Sequence, residues 1–240
     1  MDVTAIRQPD IFIFGYRFQE PVTSGTDFII AIMCFWFFYQ LHKKRDGQQT
    51  TFLMKWHFLF LGLATLSGGL FGHAFLYLVN DWWKLPGWYM SMIAIMFIER
   101  AAIEHSKKVF KPKLIKALLA LNIIELVVIA ILTGITINFR FVQFHSFYGL
   151  VCIVFPFHLY VYSKTKNLGS KWTLAGIFVM ILGAPVFNIP IIIHEFFNHK
   201  DLSHVIIMIS TWCLYKGAVH LNDSVETSEK KDKRFNSIKG

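Results

Sequence analysis

His73 in one apolar stretch and the run Asp201-Leu202-Ser203-His204 in another carry the side chains best suited to chemistry in this chain. Imidazole nitrogen and carboxylate oxygen are both zinc ligands, and a catalytic zinc site holds three protein ligands plus a water. Asp201 and His204 are three residues apart, so on a helix they share a face. His73 follows Ser67-Gly68-Gly69-Leu70-Phe71-Gly72, whose glycines permit close helix approach. The expected ligand set is His73, His204 and Asp201, with His199 as a further ligand just ahead of the helix. Asp27 or Asp81 would then accept a proton from a metal-activated water. Structural uses compete with these: His73 can bond across a packed helix pair, and Asp201 can cap its helix.

Whether these residues meet depends on the elements that carry them. Apolar stretches cover residues 27–41, 57–79, 86–103, 114–135, 139–161, 172–190 and 202–219. A bilayer core of roughly 30 Å takes about 20 helical residues to cross, and backbone in lipid must satisfy itself internally. The expectation is an all-α integral-membrane bundle of seven transmembrane helices. Residues 1–26 form a segment outside it, 27–220 the helical domain and 221–240 a flexible basic tail. About 26 mixed residues precede the first stretch, which argues against a signal peptide.

Hydrophobic residues make up 55% of the 240 and charged ones 16%, a balance foreign to soluble domains. The net charge of +9 would suit nucleic acid, but its placement does not. Nineteen of the 24 Lys and Arg fall on loops 1–2, 3–4, 5–6 and the tail, against five on the other side. Positive loops stay cytoplasmic, so the N-terminus is expected outside and the C-terminus inside, in a cell (inner) membrane. Membrane lipids, not nucleic acid, are the expected partners. Cys34, Cys152 and Cys213 lie within spans and read as small buried residues. Trp82, Trp83 and Trp88 suit an interfacial belt at the outer surface.

That topology gathers polar groups. Thr26-Asp27 begin helix 1, His73, Asn80 and Asp81 end helix 2, and His199, Asp201 and His204 begin helix 7, with His194 and Glu195 just before. All fall at one membrane level, where ionisable groups are costly and face a partner or a cavity. A deeper set comprises Asn122 and Glu125 on helix 4, His145 and His158 on helix 5, and Asn188 on helix 6. Glu125 reads as a carboxyl bonded to a neighbouring helix or as a proton relay. Glu99, Glu104 and His105, among lysines, read as a solvated face.

With seven helices, a histidine late in helix 2 and an acid-histidine motif opening helix 7, the chain resembles the CREST superfamily. That group includes the alkaline ceramidases and the adiponectin- and progestin-receptor-like proteins. Glu20-Pro21-Val22-Thr23 with Thr26-Asp27, and Asp201-Leu202-Ser203-His204-Val205-Ile206, are similar to an uncharacterised bacterial branch near it. The resemblance implies a zinc-dependent hydrolase embedded in the membrane and acting on a lipid amide or ester. It makes His73 the helix 2 ligand and His204 the second helix 7 ligand. The position four before His204 is Lys200 where that pattern has histidine, and the position four before His73 is Gly69 where it has serine. Ser67 is the candidate catalytic hydroxyl on this segment. Two further functions fit the chain: a non-catalytic sensor or receptor of the same fold with a degraded metal site, and a proton-coupled transporter using Glu125 and His158.

Overall fold

The computed structural model describes residues 7–107 and 109–221, and over these the chain is all-α apart from two short hairpins. The expected tail therefore lies, past Leu221, outside the described residues, as do residues 1–6. Strands β1 (Ile11–Ile13) and β2 (Tyr16–Phe18) form the first hairpin. Its two-residue turn, Phe14-Gly15, has both φ angles positive, the twist a tight hairpin needs. Helices follow as α1 (Pro21–Lys44), α2 (Gln49–Ser67), α3 (Leu85–Ser106), α4 (Pro112–Thr136), α5 (Phe139–Thr165) and α6 (Leu168–Gly183). A second hairpin, β3 (Ile192–His194) with β4 (Phe197–Asn198), leads into α7 (His199–His220).

Helix starts are written locally. Proline occupies the first turn of α1, α3 and α4, where a missing N–H costs nothing. Asn138, Asn167 and Asn198 cap α5, α6 and α7 by accepting from the backbone N–H of Arg140, Ser170 and Lys200. Two helices change register. α2 continues as a π-helix over Gly68–Ala74, and α5 contains one over Tyr148–Val154 just before Pro156, which has no N–H to donate.

The main core lies where α1, α2, α3 and α7 meet, around Ile30, Cys34, Phe37, Phe58, Ile98 and Leu214. Phe37 stacks on Tyr215 with ring centroids 4.2 Å apart. α4 is peripheral. It buries only Ile115, Asn122, Ile129 and Thr133, while Ile124, Ile131 and Ile135 are more than half exposed. So much uncovered Ile, Leu and Val exceeds what water tolerates. Five helices, α1, α4, α5, α6 and α7, are long and apolar enough to cross a membrane, which makes the fold compatible with a multi-pass membrane protein. α2 and α3 are more polar, with Lys55, His57, Glu99, Arg100 and Glu104, and they pack on each other inside the bundle.

Candidate functional site

One end of the bundle is built around Glu20, at the junction of the first hairpin and α1. Its side chain is buried, and its backbone takes a left-handed turn (φ 42°) before Pro21. Glu20 Oε2 accepts a 2.5 Å hydrogen bond from His73 Nδ1, and Oε1 accepts one of 2.6 Å from Lys200 Nζ. Burial alone would raise this carboxyl. The bond and charge of His73, together with Lys200, outweigh that and lower it to about 2.

Asp27, nearly two turns into α1, is the next layer. Its Oδ2 lies 3.8 Å from His73 Nε2 and its Oδ1 lies 3.6 Å from His204 Nε2. The outer nitrogen of each ring is already engaged. Thr26 donates its hydroxyl proton to the Thr23 carbonyl at 2.8 Å, so its oxygen is left to accept from His204 Nδ1–H at 2.7 Å. His73 Nδ1–H is given to Glu20 in the same way. Both rings thus turn Nε2 toward the same buried Asp27 side chain. Nδ1 fixed by an outer partner with Nε2 presented inward is the arrangement of metal-binding histidines.

The backbone makes room for this. A Cβ on Gly68 would stand 3.4 Å from Asp27 Oδ2, and one on Gly69 would stand 2.7 Å from the Phe28 ring. These glycines sit in the π segment, so the register change and the missing side chains together let α1 press against α2 at the level of His73. A small cavity with room for about one water borders Glu20 and His73, lined also by Gln8, Asp10 and Gln19 among others.

Of the residues expected here, the structure brings together His73, His204 and Asp27. Asp201 is turned to another task. It completes a capping box, with Oδ2 accepting from Asn198 N and Gln8 Nε2 and Oδ1 accepting from the Thr23 hydroxyl. His199 is buried against Phe187, and its Nδ1 has no hydrogen-bond partner. Asp81 stands on a 3-10 turn past the helix, its side chain 70% exposed and paired with Lys84. Ser67 points at α3, where its Oγ fills the space that a Cβ on Gly87 would need. His194 lies exposed on the second hairpin. Lys200 is held by Glu20, outside the ring of Nε2 atoms, and Glu20 itself is the residue not foreseen.

A second polar cluster lies among α3, α4 and α5. His145 Nε2 donates to the Met92 carbonyl at 3.0 Å, and its Nδ1 lies 2.8 Å from Glu125 Oε1. Asn122 donates to Glu99 Oε2 at 2.6 Å and accepts from Arg100 at 3.3 Å. Glu99 is 1% exposed, which corrects its reading as a solvated face. One ligand atom each from Glu99, Glu125 and His145 lie within 4.8 Å of one another, so this cluster could hold a metal ion. Its atoms converge more tightly than those of His73, His204 and Asp27, whose two rings address different oxygens of one carboxylate. His158 does not join Glu125. It lies 3.1 Å from Ser170 Oγ and stacks on the buried His105, so the expected Glu125–His158 pair is not assembled.

The family of unknown function DUF6962 matches residues 22–223, and the chain belongs to that family. No curated protein matches, and no solved structure does.

Proposed function

We propose that this DUF6962 member is a seven-span membrane protein, N-terminus outside, that hydrolyses an amide or ester bond of a lipid at the bundle end bearing the hairpins. The observation that carries the reading is the pair of Nε2 atoms, from His73 and His204, turned toward Asp27. His73, His204 and Asp27 would hold a zinc ion, which lowers the pKa of a bound water toward neutrality. Glu20 and Thr26 keep both rings in the tautomer that leaves Nε2 free. Asp27 has an oxygen toward each ring, so one remains to accept a proton from water. Lys200 neutralises Glu20 and takes no ligand position. Exposed Phe12, Phe14, Trp82 and Trp83 belong to the same end and suit the headgroup boundary. There a lipid's polar linkage and the polar side chains would share one depth.

The test uses purified protein in nanodiscs containing N-acyl lipids or ester lipids, with release of fatty acid as readout. Turnover should be lost with a chelator and fall by about 100-fold or more in Asp27→Asn and His204→Ala, while Asp81→Asn keeps full rate. Undiminished turnover in a His73→Ala/His204→Ala variant would sink the reading, as would silence toward both lipid classes.

A further inference from the structure

The Glu99–Glu125–His145 cluster is separate from the hairpin-end site, and the proposed hydrolysis leaves it without a task. We infer that it binds a divalent cation of the zinc, manganese or iron class through one oxygen each of Glu99 and Glu125 and Nδ1 of His145.

Three observations converge on this. The first is unmet demand: Glu99 Oε1 and Glu125 Oε2 are both buried with no hydrogen-bond partner. A buried carboxylate oxygen left bare costs several kcal/mol unless a proton or cation meets it. Second, His145 is oriented as a ligand. Its Nε2–H is spent on the Met92 carbonyl, which leaves Nδ1 on the side of the two acids, 2.8 Å from Glu125 Oε1. The third is charge. Two carboxyl groups meet here away from water, and one divalent ion would balance the charge of both. Among the described residues neither glutamate has an ion pair with Lys or Arg; Arg100 reaches only Asn122 and the Leu119 carbonyl.

The surroundings are shaped for these groups. Gly149, in the π segment of α5, lies where any Cβ would collide with Glu99 Oε1. Asn122 holds the other Glu99 oxygen, fixing the carboxylate's plane. A cavity with room for about one water reaches Glu99, Asn122 and Tyr148 beside the cluster. Mixed nitrogen and oxygen donors favour zinc, manganese or iron over calcium. Binding would release the proton that His145 Nδ1 and Glu125 otherwise share.

The experiment measures Zn²⁺ and Mn²⁺ bound to full-length protein in nanodiscs by elemental analysis after equilibrium dialysis. A His73→Ala/His204→Ala variant removes the other candidate site. It should keep one equivalent of metal, and adding Glu99→Gln or His145→Gln to it should abolish that equivalent. Co²⁺ substitution in the double variant gives an independent readout, since visible absorption should report a low-symmetry nitrogen–oxygen site even if a glutamate variant fails to fold. A double variant with no bound metal and no Co²⁺ spectrum overturns the inference and assigns the cluster a shared proton. Metal that persists through both added substitutions overturns it too. Loss of lipid turnover alone bears on the hairpin-end site and leaves this one untouched.

Discussion

Gly69 and Asp27 face each other so closely that a Cβ on Gly69 would stand 3.1 Å from the Asp27 Cβ. A serine at this position, as in the ceramidase-like pattern, would also meet the Phe28 ring at 2.7 Å. The glycine is what permits Asp27 to sit between two histidines. Gly69→Ser should therefore cost about 1–3 kcal/mol by overpacking and push α1 away from His73. Thermal unfolding in detergent gives the first quantity, and zinc affinity of the refolded variant the second. A variant as stable as the parent would show that α1 has slack here.

Glu20 predicts a pH signature. Its carboxyl is held at about 2, below the ordinary 4.5, so its contribution to stability is complete above about 4.5 and falls away as pH drops toward about 2. The sign follows because the unfolded chain takes up the proton first. At roughly 1.4 kcal/mol per unit, the full contribution is about 3 kcal/mol. Glu20→Gln should lower stability at pH 6, with the gap shrinking to about a quarter near pH 2.5. A gap between the two that is constant with pH contradicts the assignment.

Asp201 and Asp27 separate folding from chemistry. Asp201→Asn weakens a capping box and disturbs Gln8 and Thr23, for a cost of about 1–2 kcal/mol. Its metal content and lipid turnover should survive once the protein is folded. Asp27→Asn should do the reverse, with little loss of stability and loss of both functions. Parallel unfolding curves and zinc assays on the two variants decide the matter.

The residues differ in how far sequence alone could carry them. α4, expected over 114–135, runs Pro112–Thr136, and α7, expected over 202–219, runs His199–His220, because apolarity ends sharply there. α1 starts at Pro21, well before residue 27, since Thr23, Ser24, Thr26 and Asp27 are polar yet buried inside the bundle. α6 stops at Gly183, short of residue 190, ahead of Pro185. The meeting of His73, His204 and Asp27 was legible because each lies near the end of an apolar stretch that alternation of direction would bring to one end of the bundle. Asp201 was ambiguous in principle, as an acid three residues into a helix looks the same whether it caps or ligates. Glu20 lay outside every apolar stretch, and only the Glu20-Pro21-Val22-Thr23 phrase marked it, with no role attached. Glu99 was masked by nearby lysines, although it shares a helical face with Ile95 and Ala102, both buried.

Gly149 offers the sharpest contrast with a permissive glycine. A Cβ there would overlap Glu99 Oε1 and stand 2.5 Å from Ile95 Cγ2, on a π segment that cannot shift without moving α5 from α3. Gly25, early in α1, has nothing within 4 Å of its Cβ position and an ordinary helical backbone. Gly149→Ala should therefore lose about 1–3 kcal/mol, whereas Gly25→Ala should gain about 0.5–1 kcal/mol from its lower unfolded-state entropy. Hydrogen exchange should show faster opening of α5 around residues 148–154 in Gly149→Ala and no change there in Gly25→Ala. Equal stability of the two variants would mean that Glu99 can swing aside, and that the tight seat of its carboxylate against α5 is not what holds the cluster in place.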